Sequence, residues 1–164
     1  MRAEYSFFPV GLISQETLNA LITFADKQYE DSKANSGDLL DDFKVKLLKS
    51  ELTRMLGAEV FARLETLFGD SYDEILIRRC EAHGKFINFH TDVSLKTLQV
   101  ALNGDDEYEG GRLVYLNGKE GMQVPKREAG SITIHHNDIV HGVTNFEKGT
   151  RYGLFLLKKE TKKY

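Results

Sequence analysis

The types of residue and their spacing change near Gly69, and this change limits the possible folds. Beyond it, the chain consists of short runs rich in β-branched and aromatic residues, separated by Gly, Asn and Asp. The runs are EILIRRC, KFINFHTD, LKTLQVALN, GRLVYLNG, GSITIHH, DIVHGV and RYGLFLLKK. About seven strands with a turn signal roughly every dozen residues predict an antiparallel β-sandwich or barrel.

The residues before Gly69 show helical spacing instead. After Ser14, an acceptable N-cap, one helix face is outlined by Leu18, Leu21, Ile22 and Ala25. This pattern predicts a helix that ends near Tyr29. A second apolar stripe over 47–68 has a break at Gly57 and a C-cap at Gly69. The segment 31–38, DSKANSGD, lacks large apolar residues and predicts a polar loop, whose place relative to any site stays open.

These two halves predict a single α+β domain over 1–164, with helical support in about 1–70 and a β-core in about 75–158. The chain has 164 residues, 41% of them hydrophobic, which suffices for one core but is short for two. No repeat, low-complexity segment or linker divides it.

Composition excludes several classes of function. The 22 basic and 25 acidic residues are scattered along the chain, so nucleic acid is not an expected partner. Cys80 is the only cysteine, which rules out an internal disulfide and favours a reducing cytoplasm. No apolar run reaches the roughly 18 residues of a membrane span, and no signal peptide is recognisable at the start. We therefore expect a soluble cytoplasmic protein without membrane partners.

A His-x-Asp pair occurs twice, as His90–Asp92 and as His136–Asp138. On a strand, residues i and i+2 point to one face, so such a pair could bind one metal ion. The first pair lies in the strand-like FINFHTD, whereas the second contains Asn-Asp, which favours a turn. We expect Asp138 to bond nearby backbone N–H groups. His135 and His136 are expected to be strand-end neighbours without a metal role, one of them facing outward.

A third ligand would complete a set of two imidazoles and one carboxylate, which suits Fe(II). His141 is the candidate, and a barrel would have to bring it to the first pair. Arg151 begins the strand RYGLFLL, whose alternation puts Arg151, Gly153 and Phe155 on one face. An inward guanidinium would need an anion, and its fork fits a carboxylate. The alternative for Arg151 is a surface ion pair at the strand end.

The order His-x-Asp, distal His and then Arg resembles the 2-oxoglutarate- and Fe(II)-dependent dioxygenases. Two longer phrases, ALNGDDEYEGGRLVYLNG and GSITIHHNDIVHGVTNFEKGTRYGLFLL, look like the prolyl-4-hydroxylase-like branch of that superfamily. The resemblance covers roughly residues 75 to 158. It implies a double-stranded β-helix core, of the jelly-roll or cupin kind, with N-terminal supporting helices.

The resemblance also implies roles for individual residues. His90, Asp92 and His141 would be the Fe(II) ligands and catalytic residues. The co-substrate 2-oxoglutarate would chelate the iron through its C1 carboxylate and C2 ketone, while Arg151 pairs with the C5 carboxylate. O2 would be the second co-substrate and ascorbate an auxiliary reductant. Halogenating relatives replace the carboxylate ligand with a small residue, so the presence of Asp92 implies hydroxylation.

Two positions depart from the family pattern. Glu81 stands where a tyrosine often contacts 2-oxoglutarate, and Gly153 stands where many relatives have a hydroxyl. Thr97 or Gln99, on one face of LKTLQVALN, could supply a replacement polar contact for 2-oxoglutarate.

The function that this resemblance implies is hydroxylation of a C–H bond in a prolyl or other amino-acid residue of a peptide or protein. One alternative is a hydroxylase of a free amino acid or small metabolite. Another is a non-catalytic module that binds 2-oxoglutarate in a metal-dependent way. The oligomeric state is open at this point.

Overall fold

The computed structural model describes residues 5–8, 11–36 and 41–160. Its helices are α1 (Gln15–Ser36), α2 (Lys49–Leu56) and α3 (Ala58–Phe68). Its strands are β1 (Tyr5–Phe8), β2 (Asp42–Leu47), β3 (Glu74–Glu81), β4 (Ile87–His90), β5 (Lys96–Ala101), β6 (Glu109–Gly110), β7 (Leu113–Asn117), β8 (Gly121–Gln123), β9 (Ile132–His136), β10 (Val140–Val143), β11 (Phe146–Lys148) and β12 (Thr150–Lys158).

Two antiparallel sheets form the core. The larger has the order β1-β9-β5-β12-β3-β2 and the smaller has the order β4-β10-β7-β8, while β11 and β6 form a short separate pair. Side chains of the two sheets meet between them, where the rings of His135 on β9 and His141 on β10 lie 4.7 Å apart. The predicted α+β class and double-stranded β-helix core are confirmed.

The two faces of the six-stranded sheet differ in polarity. The helices cover its apolar face, and its opposite face is largely polar. The face that packs with α1, α2 and α3 includes Ile75, Ile77, Leu98, Val100, Ile132, Ile134, Tyr152, Leu154 and Leu156. Burial of each aliphatic side chain contributes about 1.5–3 kcal/mol. Because strand side chains alternate, the intervening residues point toward the smaller sheet. Helix packing thus leaves one sheet face available for chemistry.

Helix α1 is longer than its apolar pattern predicts. Its buried stripe ends at Tyr29, but the helix continues to Ser36, so the prediction of a loop over 31–38 is wrong for 31–36, and 37–38 lie outside the described residues. The last turns contain Ala and Lys, which favour helix without burial, and Lys33 lies over the Tyr29 ring. None of the described helices is long and apolar enough to cross a membrane.

The prediction that the first seventy residues are helical was too broad. Residues 42–47, DFKVKL, form the edge strand β2, so Leu47 ends a strand instead of starting a helix. Its period-two alternation buries Phe43 and Leu47 while Lys44 is exposed. β1 is a further strand in this region, paired with β9. The break at Gly57 and the left-handed C-cap at Gly69, with φ 68°, are confirmed.

Candidate functional site

Two neighbouring strands of the smaller sheet, β4 and β10, and the loop after β4 bring His90, Asp92 and His141 together. In the pairing of β10 with β4, His141 lies opposite His90, and Asp92 follows two residues after β4 ends. One potential ligand atom from each residue lies within 4.8 Å of the others. Asp92 Oδ1 is 3.5 Å from His90 Nε2 and 3.3 Å from His141 Nε2. This cluster has the composition and size to surround a single metal ion.

Backbone carbonyls orient both imidazoles of this cluster. His90 Nδ1 lies 2.7 Å from the carbonyl of Asn88, and His141 Nδ1 lies 3.2 Å from the carbonyl of Ile139. A carbonyl only accepts hydrogen bonds, so Nδ1 carries the proton that is donated. In the neutral ring the Nε2 lone pair then faces Asp92, which is the tautomer that metal coordination needs.

A third histidine, His135, also contacts Asp92. Its side chain is 4% exposed, and its Nε2 lies 2.7 Å from Asp92 Oδ2. Its Nδ1 lies 3.1 Å from the hydroxyl of Tyr115, so the hydroxyl donates to Nδ1 while Nε2–H donates to the carboxylate. Thr97 Oγ1 is 3.4 Å from the same Oδ2. Oδ2 is therefore engaged by β9 and β5, and Oδ1 is left to face the two other histidines.

A cavity lies between the sheets beside this cluster, and Arg151 lines it. The other lining residues are Arg78, Cys80, His83, Lys85, Ile87, Gln99, Gly111, Val143, Phe146, Gly153 and Phe155. The predicted sharing of one face by Arg151, Gly153 and Phe155 is thus confirmed. Arg78 and Phe155 also line a groove that contains Asp92 and Thr97, so the cavity and the histidine cluster adjoin.

The two arginines of the cavity differ in their partners. Arg78 makes a bidentate pair with Asp42, with Nε 2.7 Å from Oδ1 and Nη2 2.8 Å from Oδ2. Arg151 makes no ion pair with any acidic residue in the described ranges, which argues against a surface ion pair. Burial and the nearby charge of Arg127 lower the pKa of Arg151 to about 9, so it remains a cation at neutral pH. An unneutralised guanidinium in such a place favours an anionic ligand.

Known proteins resemble this chain in their structure but not detectably in their sequence. No protein-family model matches the sequence, and no curated protein sequence matches it. A Pseudomonas putida prolyl-4-hydroxylase has a TM-score of 0.66 and 13% identity, with 96% of this chain and 94% of that chain covered. A Trichoplax adhaerens prolyl hydroxylase, solved with a hypoxia-inducible-factor oxygen degradation domain peptide fragment, has a TM-score of 0.70 and 11% identity, with 93% and 82% covered.

A third similar structure is a non-haem α-ketoglutarate-dependent epimerase from nogalamycin biosynthesis, with a TM-score of 0.65, 16% identity and coverage of 95% of this chain and 77% of that chain. The chain has the 2-oxoglutarate oxygenase fold, as found in prolyl-4-hydroxylases. In this oxygenase fold the histidine cluster and the Arg151 cavity both lie between the two sheets.

The position of Asp92 in the oxygenase fold corrects one step of the sequence reasoning. β4 ends at His90, so Asp92 lies in the following loop and does not share a strand face with it. The carboxylate reaches the cluster because the chain turns there and because His135 and Thr97 contact its Oδ2. The proximity of His90 and Asp92 was therefore predicted for the wrong reason, since a turn of the chain brings them together and not a shared strand face.

The second His-x-Asp pair is not part of the cluster. His136 is exposed at the end of β9, and Asn137 and Asp138 form the predicted turn. The prediction that one of the two adjacent histidines faces outward is confirmed for His136. His135 is more than a neighbour at the strand end, because it contacts Asp92. The signal that identifies it is strand alternation, since His135 shares a face with Thr133 while Ile132 and Ile134 face the helices.

The polar residues proposed as replacement contacts have separate locations. Gln99 lines the cavity with Arg151, whereas Thr97 lies beside Asp92. Glu81 is not a cavity residue: its carboxylate accepts a hydrogen bond of 2.6 Å from Arg79, which also pairs with Asp26 of α1 at 2.9 Å. Glu81 therefore stabilises the junction of β3 and α1. Its side chain is not among those that line the cavity.

The absence of a side chain at Gly153 has a steric reason. A Cβ built there would lie 2.8 Å from the Phe155 ring and 3.4 Å from Gln99 Nε2. The Phe155 ring thus occupies the space into which a hydroxyl-bearing side chain would project. Gln99 Nε2 is the polar atom nearest to that position among these neighbours.

Electrostatics keep the carboxylate of Asp92 ionised. Burial acts to raise the pKa of Asp92, but the contacts with His135 and His141 outweigh it and hold that pKa far below its ordinary range. Burial likewise acts to lower the pKa of His141, and the contact with Asp92 raises it instead. The carboxylate is therefore ionised at neutral pH, as a metal ligand must be.

Proposed function

We propose that the protein is an Fe(II)- and 2-oxoglutarate-dependent dioxygenase that hydroxylates a C–H bond of a prolyl or other amino-acid residue in a peptide or protein. The observation that carries this proposal is the juxtaposition of the His90–Asp92–His141 cluster with the unpaired Arg151 in the adjoining cavity. The cluster suits a divalent metal and the arginine suits a carboxylate. A 2-oxo acid with a second carboxylate can satisfy both at once.

In this proposal the metal ligands are His90 Nε2, His141 Nε2 and Asp92 Oδ1. Three ligands from one side leave coordination positions for a co-substrate. The iron, when bound, supplies the redox chemistry by which O2 and 2-oxoglutarate oxidise a C–H bond. His135 holds the other oxygen of Asp92 and thereby favours binding through Oδ1 alone.

Arg151 and Gln99 would orient the co-substrate. The guanidinium fork of Arg151 matches the distal carboxylate in bidentate geometry, and the Gln99 amide can donate a further hydrogen bond. Ile87, Val143 and Phe155 supply apolar cavity walls that limit water near the reacting centre. Orientation and water exclusion are thus the tasks of this chain's own residues.

A peptide or protein substrate is supported by the fold, which is that of a prolyl hydroxylase solved with a peptide fragment. Phe86 and Phe89, which are 64% and 46% exposed, add apolar surface on and beside β4, the strand that also contains His90.

A small metabolite is the second candidate substrate, because the fold is shared with an epimerase from nogalamycin biosynthesis. A peptide panel rich in prolyl residues and a panel of free amino acids, each incubated with Fe(II), 2-oxoglutarate, O2 and ascorbate, separate the two. We expect succinate formation in step with a product that has gained one oxygen atom. Products from peptides but not from free amino acids would support the first candidate.

The second His-x-Asp pair provides a matched control. We expect His90→Ala and Asp92→Ala to abolish succinate formation and weaken metal binding, whereas His136→Ala and Asp138→Ala leave both unchanged. Tight metal-dependent binding of 2-oxoglutarate without succinate formation under any condition would contradict the enzymatic proposal and favour a binding module. Equal effects of the two pairs of variants would contradict the ligand assignment.

A further inference from the structure

A groove crosses the six-stranded sheet from the candidate metal centre to the edge strand β2. It lies on the sheet face opposite the helices. Its lining includes Asp92 and, strand by strand, Thr97 of β5, Phe155 of β12, Leu76 of β3 and Lys46 of β2. We call this surface the Asp92 groove. It connects the carboxylate of the histidine cluster with the exposed edge of the larger sheet.

Strand pairing gives the length of the Asp92 groove. Lys46 lies opposite Leu76, and Leu76 lies opposite Phe155. The strand of Phe155 pairs with β5, where Thr97 contacts Asp92. Adjacent strands lie about 4.8 Å apart, so β2 and β5 are separated by about 14 Å. An extended chain spans about 3.3–3.6 Å per residue, so about four residues bridge this distance, and a free amino acid is too short.

The middle of the Asp92 groove is apolar. Leu76, Phe155 and Leu157 line it between the polar group at one end, Thr97, and the lysines of β2 at the other. Burial of apolar surface is favourable, so this floor suits a chain with apolar groups better than a hydrated inorganic ion. The groove therefore has the length and the floor for a short peptide segment.

Basic groups outnumber their acidic partners at the β2 end of the groove. The basic residues that line the groove are Lys44, Lys46, Arg78 and Lys159. Their ion-pair partners among the described residues are the carboxylates of Asp42 and Glu74. Four cations thus share two carboxylates, although the whole chain has 25 acidic and 22 basic residues. The excess of positive charge is therefore a local property of this surface.

Lys44 and Lys46 are only partly neutralised by these carboxylates. Both oxygens of Asp42 bond to Arg78, at 2.7 and 2.8 Å, and Lys44 Nζ is 3.9 Å from the nearer one. Glu74 lies 2.9 Å from Lys46 Nζ and is shared with a second lysine at 3.3 Å. The side chains of Lys44 and Lys46 are 57% and 75% exposed, so a ligand in the groove can reach both ammonium groups.

We propose that the substrate is an acidic peptide segment, in which Lys44 and Lys46 bind a carboxylate side chain about four residues from the residue that is hydroxylated. This inference rests on the proposed function and names the substrate class. The hydroxylated residue lies at the Asp92 end of the groove, and the acidic residue lies at the β2 end. Lysine ammonium groups bind an exposed carboxylate through charge, so the preference should weaken as salt is added.

The test uses flexible Gly-Ser peptides that have one central proline and a single glutamate at successive distances on either side of it. Matched peptides have glutamine instead, so that each pair differs only in charge. Fluorescence anisotropy without O2 measures their binding to protein loaded with Mn(II) and 2-oxoglutarate, and to metal-free protein. Lys44→Met/Lys46→Met is compared with Lys119→Met/Lys126→Met, which removes the same charge from exposed positions outside the groove.

We expect the glutamate peptide to bind about 2- to 10-fold more tightly than its glutamine partner when the acidic residue is about four residues from the proline on one side, as for two exposed ion pairs. The preference should be absent when glutamate adjoins the proline, and it should fade at high salt. Lys44→Met/Lys46→Met should abolish it, and the control should keep it. Lys44→Glu/Lys46→Glu should instead favour a peptide with lysine at the same distance, which loss of structure would not produce.

A glutamate preference of equal size at every distance, or an equal loss in the control variant, would overturn the inference, because either shows a general attraction to basic surface. Absence of any preference would overturn it as well, and the lysines would then serve only to protect the edge strand from pairing. Wild-type protein that binds none of the peptides has the same meaning. Failure of the proposed function has a different signature, namely a position-dependent glutamate preference in binding without succinate formation from any peptide.

Discussion

Replacement of His135 by phenylalanine tests how the carboxylate of the candidate metal centre is held. His135→Phe keeps an aromatic ring on β9 but removes the Nε2–H that lies 2.7 Å from Asp92 Oδ2. A hydrogen bond to a charged group contributes about 1.5–3 kcal/mol, which corresponds to roughly 10- to 100-fold in affinity. Loss of an outer partner of a metal ligand typically weakens metal binding by the same 10–100-fold. We therefore expect metal affinity to fall by about that factor.

Titration with Mn(II) or Co(II) in the absence of O2 measures this affinity directly. His135→Gln is the informative companion, since its amide can donate a hydrogen bond near the position of the lost Nε2–H. We expect His135→Gln to recover part of the affinity. Both variants remove the Nδ1 that accepts from the Tyr115 hydroxyl, but the Gln amide keeps both a donor for Asp92 and an acceptor for that hydroxyl, whereas Phe keeps neither.

Two results would refute this reasoning. Wild-type affinity in His135→Phe would show that Thr97 and the turn of the chain suffice to position Asp92. Complete loss of metal in His135→Phe and His135→Gln alike, matching the loss in His90→Ala, would show that His135 is itself a ligand and that the centre has three imidazoles.

Three further predictions concern other parts of the molecule. Arg151→Met should raise the 2-oxoglutarate concentration needed for half-maximal succinate formation by at least about 10-fold, with metal affinity by calorimetry unchanged; equal sensitivity of both would remove the anchoring role. Arg79→Met should lower the free energy of unfolding by about 1–3 kcal/mol in urea denaturation, because it breaks the contacts with Asp26 and Glu81 that join α1 to β3, while metal affinity stays the same. Gly153→Ser should lower the free energy of unfolding by about 1–3 kcal/mol through the clash with Phe155, which a melting curve detects, and Gly153→Ser/Phe155→Leu should recover most of that loss.

Sequence reasoning succeeded where residue type, alternation and resemblance agreed. The alternation of RYGLFLL placed Arg151 on the interior face, and the order of His90, Asp92 and His141 matched a known family pattern. It failed for His135, because this residue belongs to no motif and its importance depends on the atoms of distant segments that it contacts. His135 is recognisable from strand alternation only once β9 is known to face the cluster.

The errors in the fold have a similar origin. Hydrophobic periodicity reports burial, so it located the buried part of α1 but not the polar turns that extend it to Ser36. It also assigned Leu47 to a helix, because one apolar residue fits both a helical stripe and the alternation of an edge strand. Strands such as β6 and β8, with two and three residues, are too short for any period to be visible.

The position of β12 has a consequence for how this protein folds. β12 lies between β3 and β5 in the middle of the larger sheet, although it follows both of them far along the chain. Pairing between such distant segments is slow, because the entropy of closing a long loop must be overcome before the new contacts form. Arg151 therefore joins Arg78 and Gln99 only when β12 docks. In a refolding experiment, the capacity to bind a dicarboxylate should emerge with the slowest phase and would report completion of the sheet.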